Sequence, residues 1–170
     1  MKEMLMLVKL DSSYCDYLRQ FDSRVPYNYA NKELRPFIGV LFMVNDCMYF
    51  APLSSPKTKH LKIDSKLDFL KIDNGKLGAI NFNNMLPVSK NNITKVNLNI
   101  QGTTKDDIKY NNLLKAQLYW LNRNCEKLFG RAKKLYTKYI DGTLNEHIFN
   151  RCCNFPLLEE KCKEYNLNRI

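Results

Sequence analysis

Between Tyr49 and His60 the sequence reads YFAPLSSPKTKH: an apolar run that breaks into two hydroxyls, a proline, lysines and a histidine. These residue types admit more than one chemistry. A serine nucleophile needs a base to accept its proton. No G-x-S-x-G elbow is present, and the two histidines are His60 and the distant His147. The S-x-x-K spacing of Ser54 and Lys57 matches the form of a β-lactamase motif, which needs one helical turn, whereas Pro56 after a strand-like run predicts a loop. RNA cleavage by its own 2′-hydroxyl asks for less. The protein must align the 2′-oxygen with phosphorus, help remove one proton and stabilise the charge on the phosphorane. Ser54, Ser55 and Lys57 supply hydroxyls and a fixed cation within four residues. Arg35 precedes the strand-like run that leads into the same hairpin, and arginine is a bidentate partner for phosphate. Tyr27 and Tyr29 are of the type that stacks on single-stranded bases.

A plainer reading stands beside this one. Ser-Ser-Pro forms turns, Lys57, Lys59, Lys62 and Lys66 can solvate a surface, tyrosines pack, and a lone histidine is more often hydrogen-bonded than catalytic.

The elements that must position these residues follow from periodicity. Met4 to Val8 predicts a first strand, and Asp11, Ser12 or Ser13 a cap for a helix carrying Tyr14, Tyr17, Leu18 and Phe21. FIGVLFMV and CMYFAPL predict a hairpin about Asn45-Asp46, and FLKI and LGAINF a second about Asn74-Gly75. MLPV and VNLNI are shorter strand candidates. From Lys105 the period changes. Tyr110, Leu113, Leu114, Gln117, Leu118, Leu121, Cys125 and Leu128 predict a long amphipathic helix ended or bent at Gly130. A helix from Ala132 to Ile140 closed by Asp141-Gly142, and a last one over FPLLEEKCKEY, complete the reading. Between Lys105 and Lys138 lie nine lysines and arginines against three acids, and Arg123, Lys127, Arg131 and Lys134 share one face if the helix passes Gly130. They form either a phosphate-binding stripe or the wet face of an amphipathic helix.

The chain of 170 residues suits one domain over 1–170, and its net charge of +10 points to a polyanion partner. No run is apolar enough to span a membrane and no signal peptide is expected, so the expected location is the cytoplasm. The six cysteines form no C-x-x-C pair. A zinc site from Cys152, Cys162 and His147 is set aside in favour of reduced thiols, and no metal or cofactor is expected. The fold class is α+β: a strongly curved, mostly antiparallel sheet packed by several helices.

VPYNYANKELRPFIGVLF, YFAPLSSPKTKH, LGAINFNNMLPV and CCNFPLLEEKCKEY, taken in series, resemble the ToxN/AbiQ family of endoribonuclease toxins from type III toxin–antitoxin systems, whose antitoxin is an RNA. Residues 52–57 follow that family's P-L-[TS]-S-x-K pattern with Ser54 at the variable position, and Arg35 stands where the family often has lysine. The resemblance implies a Kid/MazF-like small barrel. It also implies metal-independent cleavage of single-stranded, A-rich cellular or phage mRNA to 2′,3′-cyclic phosphate and 5′-hydroxyl ends. The partner it implies is a small pseudoknot antitoxin, processed by the toxin and held in a closed ring, often of three proteins and three RNAs. Abortive infection during phage attack in a bacterial host is the implied outcome. Ser55 is expected at the reacting centre, with Ser54 orienting, Lys57 holding phosphate charge and Arg35 taking phosphate or transition-state charge. Tyr27, Tyr29, Lys32, Lys59, His60, Lys62, Arg123, Lys127, Arg131 and Lys134 are the expected RNA contacts. The competing expectation is a non-catalytic RNA-binding module, and a DNA-binding regulator ranks last for want of a recognition helix.

Overall fold

The computed structural model describes residues 4–27, 35–99 and 102–169. Strand β1 (Met6–Leu10) leads into helix α1 (Ser12–Arg19), where Asp11 is the cap and accepts the Ser13 N–H. Next come β2 (Phe37–Gly39), β3 (Met43–Val44) and β4 (Cys47–Ser54). Asn45 and Asp46 both take positive φ, 47° and 67°, as a tight two-residue hairpin loop requires. A short helix α2 (Thr58–Lys62) separates β4 from the hairpin of β5 (Phe69–Lys71) and β6 (Ala79–Asn81). β7 (Leu86–Val88) and β8 (Ile93–Lys95) close the sheet-forming half. Every strand pairing is antiparallel, in the order β5-β6-β4-β2-β1-β8, with β3 and β7 also on β4.

Four helices follow: α3 (Lys105–Arg123), α4 (Cys125–Asp141), α5 (Glu146–Arg151) and α6 (Phe155–Leu167). The α+β class with an antiparallel sheet is therefore as expected. Several boundaries differ. β1 spans Met6–Leu10 rather than Met4 to Val8, because it pairs with β8 through Leu10, and FIGVLFMV divides into β2 and β3. The break falls at Asn124, whose side-chain amide turns back to the Trp120 carbonyl at 2.8 Å, while Gly130 lies inside α4. A lone glycine weakens a helix without ending it when its φ stays right-handed. The last strand uses Ile93–Lys95 rather than VNLNI, because Val8↔Lys95 and Leu10↔Ile93 set the register on β1. The closure of α4 at left-handed Gly142 and the proline in the first turn of α6 are as read from sequence.

β4 is the organising strand. Cys47 through Leu53 are all buried, between neighbours on both sides. Its Tyr49 hydroxyl donates to Glu159 Oε1 at 2.5 Å, and Tyr136 of α4 donates to the same oxygen at 2.7 Å. One carboxylate of α6 thus ties β4 to α4 in a place where an unpaired hydroxyl would cost about 1–3 kcal/mol. Burial and that carboxylate push both phenols well up. One continuous apolar cluster joins sheet and helices, from Leu5 to Tyr165. All six cysteines are buried free thiols.

Candidate active site

β4 runs out of the sheet at Ser54. Exposure changes within two residues: Leu53 is buried, Ser54 half-buried, and Ser55, Pro56 and Lys57 exposed. Pro56 has no N–H for a ladder, so the chain must leave the sheet there. The departure point is clamped by Gly78, at φ +101°, which lies so close that a Cβ would meet the Ser54 carbonyl oxygen at 2.0 Å. Only glycine combines that φ with that approach.

The register brings Arg35 to the same place. Phe37 pairs with Pro52 and Ile38 with Ala51, and the Leu53 N–H donates to the Pro36 carbonyl at 3.0 Å. One step further sets Arg35 across from Ser54, and opposed residues of an antiparallel pair share a face. On the other side Ser54 pairs with Ala79, which pairs with Lys71. A row of Arg35, Ser54, Ala79 and Lys71 therefore crosses four neighbouring segments of the chain. Arg35 is half-buried, and burial alone lowers its pKa from the ordinary guanidinium value. Among the described residues no carboxylate pairs with it. A partly desolvated, uncompensated cation is a standing invitation to an anion.

Ser54 Oγ accepts from the Asn81 side-chain amide at 2.9 Å. A hydroxyl has one proton, so this bond leaves the Ser54 O–H to donate elsewhere. The lip beyond is held by His60. Its backbone N–H donates to the Lys57 carbonyl at 2.8 Å, and its ring Nδ1 accepts the Lys57 N–H at 3.2 Å. His60 is 2% exposed, with its ring 5.8 Å from that of Phe69 and its backbone pressed by Gly75. Burial first, then the charges of Lys59 and Lys57, lower its pKa, which favours the neutral imidazole that such an acceptor requires. The sequence reading offered His60 to RNA; its buried ring instead serves the loop from beneath.

The other expected contacts scatter. Lys59 and Lys62 are exposed on α2. Tyr27 is 55% exposed, with the Arg19 guanidinium 4.5 Å over its ring. Tyr29 and Lys32 lie outside the described residues. The stripe of four basic residues is divided by the break at Asn124. Arg123 ends α3 and donates to the Tyr119 hydroxyl at 2.8 Å, while Lys127, Arg131 and Lys134 belong to α4. Arg131 donates to the Lys66 carbonyl, which joins α4 to the segment after α2. Among the described residues no three histidine, cysteine or acidic side chains gather as a metal site would require.

Residues 6–163 match the family model of the toxin ToxN of type III toxin–antitoxin systems. The chain belongs to the ToxN family. It is 32% identical over 160 residues to the endoribonuclease ToxN of Bacillus thuringiensis subsp. kurstaki, covering 92% of this chain and 81% of that relative. To the endoribonuclease ToxN of Pectobacterium atrosepticum it is 30% identical over 166 residues, covering 92% and 91%. The solved structure of AbiQ, a lactococcal anti-phage endoribonuclease, superposes with a TM-score of 0.83 at 26% identity, over 96% of this chain and 99% of that one. A solved structure from work on selective inhibition of a type III toxin by a non-coding RNA pseudoknot gives a TM-score of 0.80 at 30% identity, over 96% and 99%. The relatives so named are endoribonucleases. Within this ToxN-family fold, sequence reasoning missed Asn81, Gly78 and Lys71. LGAINF signalled a strand, but which of its side chains reaches Ser54 depends on register alone.

Proposed function

We propose that this ToxN-family chain is a metal-independent endoribonuclease of the cytoplasm that cuts single-stranded, A-rich RNA. In the proposed reaction the 2′-oxygen bonds to the adjacent phosphorus, the bond from phosphorus to the 5′-oxygen breaks, and that oxygen leaves as a 5′-hydroxyl. The 2′-hydroxyl gives up one proton and the departing oxygen takes one, so a cyclic phosphate forms without a protein-bound intermediate. Ser55, exposed at the turn, donates to a non-bridging oxygen of the phosphorane. Ser54, held by Asn81, orients the phosphate, and Lys57 and Arg35 neutralise its charge. The observation that carries this reading is Arg35: a half-buried cation with no carboxylate partner among the described residues, set by register across from a hydroxyl whose proton is left to donate.

The proposed inhibitor is a small pseudoknot RNA cut from the toxin's own repeat transcript. The related type III system, inhibited by a pseudoknot RNA, supports it, as does the surplus of positive charge. Closed rings of three proteins and three RNAs, with abortive infection as the outcome, complete the proposal. The anti-phage role of AbiQ supports the last point.

The test is a digest of single-stranded RNA in EDTA by wild type and Ser55→Ala, both freed of co-expressed RNA. Wild type should leave 2′,3′-cyclic phosphate and 5′-hydroxyl ends, and the variant should be slower by about 10²–10³-fold, the usual cost of losing one such donor. RNA bound by wild type but cut under no condition would instead make the chain a binding module.

A further inference from the structure

Beside the lip lies a cavity of about 300 Å³ that the reaction as proposed does not use. Asn81 belongs to both: its amide holds Ser54 Oγ, and it lines the cavity. Phe69, half-buried, also lines it, with its ring centroid 5.8 Å from that of His60 at a tilt of 52°. Asn83 lines it too. Its backbone is fixed: the Phe82 and Asn83 N–H groups donate to the Asp68 carbonyl at 2.9 and 3.4 Å, and the Asn83 carbonyl takes the Cys153 N–H at 2.9 Å. Its carboxamide nitrogen donates to the Arg151 carbonyl at a long 3.4 Å, which leaves the carboxamide oxygen and the second N–H for a ligand. Arg151 forks onto Asp68 through Nε at 2.9 Å and a terminal nitrogen at 3.1 Å. Both residues line the cavity, and the buried carboxylate is thereby compensated. Lys59 and Lys66 stand at the mouth, with Asp64 as the opposing charge.

We infer that this cavity is a subsite for one unpaired nucleotide flanking the scissile phosphate. Its base stacks on Phe69, its hydrogen-bonding edge is read by Asn83, and its outward phosphate is met by Lys59 and Lys66. The inference rests on the ribonuclease reading above and adds to it a determinant of where the cut falls. Three features point to a nucleotide. An aromatic face accepts any base, a carboxamide distinguishes bases by donor and acceptor pattern, and lysines at the mouth fit the backbone. The volume lies at the small end of ligand pockets and suits one nucleotide rather than a duplex. Asp68, compensated by Arg151, does not repel the phosphate as a bare carboxylate would.

Two readouts test it. First, wild type, Asn83→Ala and Phe69→Leu digest a random-sequence RNA pool, and the cut ends are sequenced. Asn83→Ala should keep cutting but lose preference at one position beside the cut by about 5- to 150-fold, the worth of a good base-edge contact. An unchanged preference profile with cutting intact would overturn the subsite. Second, a non-cleavable 2′-O-methyl oligonucleotide carries 2-aminopurine at that position. Stacking should quench its fluorescence on wild type and much less on Phe69→Leu. Quenching without any RNA cutting by wild type would overturn the ribonuclease reading and leave the pocket standing. Cutting by wild type without quenching would do the reverse.

Discussion

His60 shows how a side chain can matter to a reaction it never touches. Its neutral Nδ1 accepts the Lys57 N–H, and a protonated ring has no lone pair there to offer. Burial and two neighbouring lysines set its folded pKa below its ordinary value of about 6.5, so the unfolded chain binds the proton more readily. The stability this bond contributes is fully present above the unfolded pKa and is lost as pH falls through the lowered folded pKa. Thermal melts of wild type should therefore drop between about pH 7 and pH 5 more than those of His60→Asn, whose amide keeps an acceptor near Nδ1 but does not titrate. Parallel melting curves for the two proteins would remove His60 from any role in holding the lip.

Among the elements, the glycine just before β6 and the glycine within α4 play opposite parts. Gly78 meets the Ser54 carbonyl with a left-handed φ, so Gly78→Ala should destabilise by about 1–3 kcal/mol and slow cleavage by shifting the Ser54–Ser55 turn. Denaturant unfolding read beside a cleavage rate checks both, and a variant as stable and fast as wild type would contradict the clamp. Gly130 is exposed in mid-helix with open space where a Cβ would go. Gly130→Ala should stabilise by about 1 kcal/mol and leave cleavage alone, since α4 then loses its weakest helix former. Loss of stability there would mean that α4 needs the glycine for a reason outside its own geometry. β4 itself depends on the Tyr49–Glu159–Tyr136 knot, which sets where its exposed end emerges.

At the scale of the whole molecule, charge dominates. A net +10 on 170 residues makes RNA affinity a function of salt, because each phosphate neutralised releases counterions. The logarithm of the association constant should fall linearly with the logarithm of salt. A footprint of about six phosphates would give a slope of roughly −4 to −5. Filter binding of a pseudoknot RNA from 50 to 400 mM salt measures it, and a flat line would mean that the basic surface is not what holds RNA. Arg131, tied to the Lys66 carbonyl, should contribute less to the slope than exposed Lys127 or Lys134.

Much of this was legible in residue order. The apolar run ending in Ser-Ser-Pro-Lys announced a strand with a polar lip, Asn45-Asp46 and Asn74-Gly75 announced turns, and the four motifs in series pointed to the ToxN family, because such features are local and their chemistry is printed in the residues themselves. The break at Asn124 rather than Gly130 was not legible: helix propensity at one glycine is worth about 1 kcal/mol, and packing of Leu121, Cys125 and Leu128 in the core outweighs it. Nor was the burial of His60, since nothing in TKH says which way a one-turn helix faces. Asn81 reaches Ser54, and Arg35 comes opposite it, only because strand register fixes partners far apart in sequence. Register is a property of the assembled sheet, where a slip of one residue would turn every one of these side chains to the other face.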